Sequence, residues 1–118
     1  MPRADRDTWR EDRGSGSVLA VAILAVVVMF GVFGVGVAAA MTARQRVIGA
    51  ADLAALGAAD AASGAIAGAP CEVAERVARG NASRLAACDI DGLIVTVTVV
   101  GAFAGMPIEA RSRAGPPP

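Results

Sequence analysis

No charged residue occurs between Arg13 and Arg44, and from Val18 to Ala40 every residue is apolar or glycine. As a helix, those 23 residues extend roughly 35 Å, at about 1.5 Å per residue. A bilayer core is roughly 30 Å thick, so the segment crosses it with modest tilt. Thirteen of the 23 are Val, Leu, Ile or Phe. Each contributes up to about −0.5 kcal/mol near the bilayer centre, which favours insertion by a few kcal/mol. The competing soluble reading is a buried core helix. A chain of 118 residues is too small to surround a helix that is apolar on every side.

A secretory signal peptide is the other rival. Ala38-Ala39-Ala40 offers the small residues that a signal peptidase accepts. The apolar core of such a peptide is usually about 7–15 residues, shorter than this run. The flank ahead of it is also mixed in charge rather than simply basic. Orientation follows from arginine counts. Arg3, Arg6, Arg10 and Arg13 precede the segment, and Arg44 and Arg46 follow it closely. The positive-inside rule counts basic residues, so the N-terminus is expected in the cytoplasm and the C-terminal part outside. Within the segment, Gly34/Ala38 and Gly36/Ala40 are small residues at four-residue spacing. That spacing lets a second helix approach closely, which would permit a homo-oligomer through the membrane helix. A glycine-rich helix without such a partner reads the same way.

Beyond the span, Met41 to about Ala62 lacks Pro and is dense in Ala. It is expected to continue the helix. Val47, Ile48, Ala51 and Ala55 form an apolar face beside a thin polar stripe of Gln45, Asp52, Ala59 and Ser63. Ser63 to Pro70 (SGAIAGAP) breaks the helix. Glu72 to Ala87 is a second helix candidate, with Val73, Val77, Ala78 and Leu85 as its apolar face. Its pairs Glu72–Arg76 and Glu75–Arg79 place the acid on the N-terminal side, the favourable order. Asp91-Gly92 signals a turn, and Leu93 to Val100 (LIVTVTVV) is the clearest strand. Gly101 to Met106 reads as a loop and Pro107 to Arg113 as a returning edge strand. The resulting expectation is an α+β membrane protein. A long N-terminal transmembrane helix extends into an amphipathic helix, followed by a short helix and a small antiparallel β-hairpin. The expected division is a cytoplasmic segment over 1–16, the transmembrane helix over 17–43, a small extracytoplasmic domain over 44–114 and a disordered tail over 115–118.

Cys71 and Cys88 bracket the second helix candidate. A straight 17-residue helix would hold its ends about 25 Å apart, whereas a disulfide needs Cα atoms within about 7 Å. A bridge therefore requires the chain to fold back. If it forms, it closes a loop worth roughly 3 kcal/mol and demands an oxidising compartment. The other reading is two unpaired, buried small side chains. A metal site is disfavoured, because two Cys and no His leave tetrahedral zinc short of ligands.

Without His, no Ser–His or Cys–His nucleophile can be built from this chain, and without Lys no lysine-bearing phosphate loop. Asp89 and Asp91 read as turn residues rather than an acid/base pair. Asn81-Ala82-Ser83 matches the glycosylation acceptor pattern but reads as helix surface. Formal net charge is zero, so bulk positive charge offers nothing to a nucleic acid. No enzymatic activity, cofactor or nucleic-acid partner is expected. The basic residues are all Arg, and the apolar content is mostly Ala and Val, as codon bias in a GC-rich genome would produce.

Arg13-Gly14-Ser15-Gly16-Ser17 directly before a long apolar helix resembles the start of type IV pilin-like proteins. AADLAALGAADAA (Ala50 to Ala62) narrows the resemblance. So does the ordered set Cys71, Val77-Ala78, Asn81-Ala82, Leu85, Cys88, Gly92 and Val95-Thr96-Val97. Together they are similar to the actinobacterial TadE-like proteins, encoded beside a helicase and a tight-adherence-type secretion cluster. The resemblance covers about Gly14 to Pro116. It implies a pseudopilin-like subunit, anchored in the cell membrane and assembled with other pilin-like or secretion-system subunits, with prepilin processing at Gly14 or Gly16. One departure stands out. Pilin-like precursors of this type carry a Glu five residues after the cleaved Gly, and here those positions are Leu19 and Val21. An uncleaved assembly factor fits that departure. The alternative is an uncleaved single-pass envelope protein with a small disulfide-stapled binding head, unrelated to filaments.

Overall fold

The computed structural model describes the backbone from Thr8 and side chains from Gly14, through to Pro118. Arg3 and Arg6, on which the orientation argument draws, lie outside the described residues, as do the side chains of Arg10 and Arg13. The described chain is α+β: α1 (Thr8–Ala62), α2 (Pro70–Gly80), β1 (Arg84–Asp91), β2 (Ile94–Phe103) and β3 (Met106–Ala114). Its contacts separate into two units, one ending at Ala38 and the other Ala39–Pro118.

In the first unit, α1 is long and apolar enough to cross a membrane. From Val18 to Val37 its large apolar side chains are exposed. Past Ala40 the helix becomes amphipathic. Val47, Ala50, Ala51, Ala54, Ala55 and Ala58 are buried, at the three- and four-residue spacing of one helix face. Of the expected face, Val47, Ala51 and Ala55 are buried and Ile48 is only half-buried, and Ala50, Ala54 and Ala58 were missed. The helix stops at Ala62 in a Schellman motif. Gly64 takes φ +80°, its N–H donates to the Ala61 carbonyl, and the Ala65 N–H donates to the Asp60 carbonyl.

The second helix differs from expectation. It begins at Pro70, which supplies a helical φ at a position where no N–H is needed. It ends at Gly80 rather than continuing to Ala87. A second Schellman motif stops it. Ala82 adopts φ +54°, and the N–H groups of Ala82 and Ser83 donate to the carbonyls of Arg79 and Ala78. The Asn81 side-chain amide also donates to the Val77 carbonyl. Asn81-Ala82 is therefore a turn, not helix surface. The Arg84–Asp91 stretch, read as helix up to Ala87, is a strand.

The sheet is an antiparallel three-stranded meander in the order β1-β2-β3, one strand more than the expected hairpin. β1 pairs with β2 from Arg84↔Val100 to Asp91↔Ile94, with a bulge between Leu85 and Ala87. Its two-residue link, Gly92-Leu93, has Gly92 at φ +63°, the first-position glycine of a type II′ hairpin. β2 extends through Gly101 to Phe103, so the expected loop shrinks to Ala104-Gly105. The expected returning strand is β3.

Alternation along β2 buries Val95, Val97 and Val99 and leaves Ile94, Thr96, Thr98 and Val100 half-exposed. The core joins those valines to the alanine face of α1 and to Ala74 and Ala78 of α2. Alanine explains how so small a domain closes without an aromatic residue in its core. Methyl-sized side chains let the helices lie close on the sheet, so short valines suffice to fill the gap. A Cβ added at Gly101 would clash with Cγ2 of Val47, and one at Gly57 would lie 3.3 Å from Cγ1 of Val73. Gly101 marks the close approach of β2 to α1, and Gly57 that of α1 to α2.

Candidate functional site

Two features of the Ala39–Pro118 unit carry potential function: the cysteine pair and the face of α1 packed on the sheet. Cys71 lies in the first turn of α2 and Cys88 in β1 opposite Val97. They form a disulfide with Cα atoms 5.9 Å apart, within the ordinary range. The fold-back that a bridge requires comes from the shorter α2, which ends in the turn at Asn81-Ala82, and from the entry into β1. Leu85 follows it onto β1, where it packs half-buried against the core. Bridges of this kind form and persist in oxidising compartments.

Side-chain polar contacts of this unit lie at its surface. Ser112 Oγ donates to Asp52 Oδ1 at 2.6 Å, tying β3 to α1. Arg79 Nε donates to Glu75 Oε1 at 2.7 Å, one of the two expected i,i+4 pairs. Among the described residues no polar or charged side chain is buried, and no group of three or more His, Cys, Asp or Glu is placed to hold a metal. Asp89 and Asp91 share the outer face of β1, opposite Thr96 and Ile94, and both are exposed. Asp89 is thus a strand residue, and only Asp91 borders the turn.

The remaining residues singled out from sequence are not gathered into one place. Gly14 and Gly16 lie within α1, and the Gly14 carbonyl accepts a hydrogen bond from Ser17 Oγ at 3.1 Å. Gly34 and Gly36 have open space where a side chain would stand. Ala38 is exposed, whereas Ala40 is half-buried and lines a groove with the β2–β3 hairpin. Sequence reasoning missed that groove. Its signal was the unbroken apolar run Val99 to Ile108, which continues straight through a turn.

No protein-family model, curated protein or solved structure matches the chain.

Proposed function

We propose that this chain is a single-pass membrane protein of the TadE-like, pseudopilin-like kind. It would serve as a subunit or assembly factor of a tight-adherence-type pilus or secretion system. The observation that carries the reading is the course of α1. A single helix is apolar all round over Val18–Ala40 and then presents an alanine face to a small disulfide-bonded α+β domain. That is the arrangement expected of a subunit held in the bilayer by its helix and displaying a head in an oxidising space.

In this reading residues 1–16 are cytoplasmic, 17–43 cross the membrane, 44–114 form the extracytoplasmic domain and 115–118 are its tail. The exposed apolar side chains of α1 meet acyl chains, which removes their contact with water. The arginine bias supports an N-terminus inside, and the disulfide supports a head outside. The Gly34/Ala38 and Gly36/Ala40 pairs would admit the helix of another subunit.

A second reading is favoured by Leu19 and Val21, which stand where a processed pilin-like precursor would carry its Glu. It is an uncleaved envelope protein whose small head binds a partner and which takes no part in filaments. Purification from its native membrane separates the two. Copurification with a secretion ATPase and its membrane platform, or a mature N-terminus at Ser15 or Ser17, is expected for the first. An uncleaved chain without those partners would reject it in favour of the second.

A further inference from the structure

The two ends of the sheet differ in chemistry. The β1–β2 end carries two carboxylates, Asp89 and Asp91, beside Gly92 and the exposed Leu93. The β2–β3 end reads Val-Val-Gly-Ala-Phe-Ala-Gly-Met-Pro-Ile from Val99 to Ile108, ten residues without a polar side chain. Met106 is 70% exposed at its tip. Both link residues have left-handed backbones, Ala104 at φ +50° and Gly105 at φ +77°, as a type I′ turn requires. The first link position of such a turn favours Asn or Asp, whose side chains bond locally and suit water. Here it is occupied by Ala, which gains nothing from water and carries the steric cost of that conformation. Phe103 is the only aromatic residue after Phe33, and it stands at this tip rather than in the core.

The tip also has a specific neighbour. Phe103, Met106 and Ile108 line one groove with Ala40, Met41 and Arg44 of α1, and Glu109 lines it too, its carboxylate just past the apolar tip. Arg44 is the first charge after the apolar run, and Arg46 is exposed one turn-half further on. If α1 crosses a membrane, that stretch of helix lies at the bilayer surface. There an arginine can lay its stem on apolar groups and direct its guanidinium to lipid phosphate.

We infer that the β2–β3 hairpin tip is a second membrane contact, seated at the boundary between headgroups and acyl chains beside the exit of α1. The inference rests on the membrane reading of α1. Phe103 and Met106 enter the acyl region, and Arg44 meets phosphate with charge of the opposite sign. The contact fixes the head against the bilayer, so the acidic β1–β2 end is held away from the lipid.

The test uses the full chain in phosphatidylcholine–phosphatidylglycerol vesicles whose acyl chains carry bromine, a short-range quencher of tryptophan. Trp9 is the sole tryptophan, so a Trp9→Phe background isolates each probe. Probes are Met106→Trp at the tip, Leu93→Trp at the opposite end of the sheet, and Val35→Trp in the apolar helix. The expected result is strong quenching of the Met106 and Val35 probes and none of the Leu93 probe. Phe103→Trp repeats the tip measurement with an aromatic ring already accommodated there, should Met106→Trp fail to form the disulfide. Quenching at Val35 but not at the tip overturns this inference and leaves the membrane reading standing. A tip probe with blue-shifted emission but no bromine quenching also overturns it, because protein and not lipid then covers the hairpin. No quenching at Val35 overturns the membrane reading and this inference with it.

Discussion

Gly101 sits where α1 crosses β2, and the fit leaves no room for a methyl group. Gly101→Ala should therefore destabilise the folded head by about 1–3 kcal/mol, the usual cost of overpacking. The obstruction is one methyl of Val47, so Val47→Ala in the same chain should recover part of that loss. The double variant is then less destabilised than the sum of the two single changes. Urea midpoints of the detergent-solubilised proteins measure this cycle, and simple additivity would count against the contact. Ala82 makes the opposite case. Its φ of +54° is one that glycine adopts freely, so Ala82→Gly should raise stability by about 0.5–1 kcal/mol. Neither residue could be assigned from sequence. Gly101 ends a β-branched run and reads there as the start of a loop. Nothing in a string of alanines distinguishes the one that must turn left-handed.

At the scale of elements, periodicity carried most of what was legible. The apolar run, the amphipathic continuation to Ala62 and the alternation of LIVTVTVV each express a single period over many residues. β1 was missed because RLAACDID contains two alanines and two aspartates, residues that strands disfavour. It is a strand because β2 offers it a ladder and because Cys88 is bonded to α2. The stopping signal for α2 was present in Gly80-Asn81, but helix-favouring Arg84 to Ala87 beyond it masked the break. The bridge itself contributes about 3 kcal/mol for a loop of this length. Cys71→Ser with Cys88→Ser should lower the urea stability of the head by that order. By contrast, Arg79→Ala should change it by less than about 0.5 kcal/mol, since its pair with Glu75 is solvent-screened, with the Arg79 side chain 74% exposed. In the apolar helix, Gly34→Ile and Gly36→Ile should weaken any self-association seen by crosslinking in membranes, if copies meet through those positions.

At the scale of the whole molecule, the arrangement separates two kinds of stability. The apolar half of α1 depends on an apolar surrounding, because its exposed Val, Leu, Ile and Phe side chains have no partner surface among the described contacts of the chain. The head depends on alanine–valine packing and on one covalent bond. The long apolar helix was legible because hydrophobicity acts over long stretches of sequence. The groove between Ala40–Arg44 and the β2–β3 hairpin was not, because it arises only when residues sixty positions apart are brought together by the meander. The proposed function requires that the chain stay joined to its membrane helix and that the head fold in an oxidising space. Intact mass of the membrane-extracted protein, alkylated before and after reduction, tests both requirements together. The expected chain retains Val18–Ala40, takes up no alkyl group before reduction and takes up two afterwards. A chain beginning at Met41, or two thiols free before reduction, would contradict it.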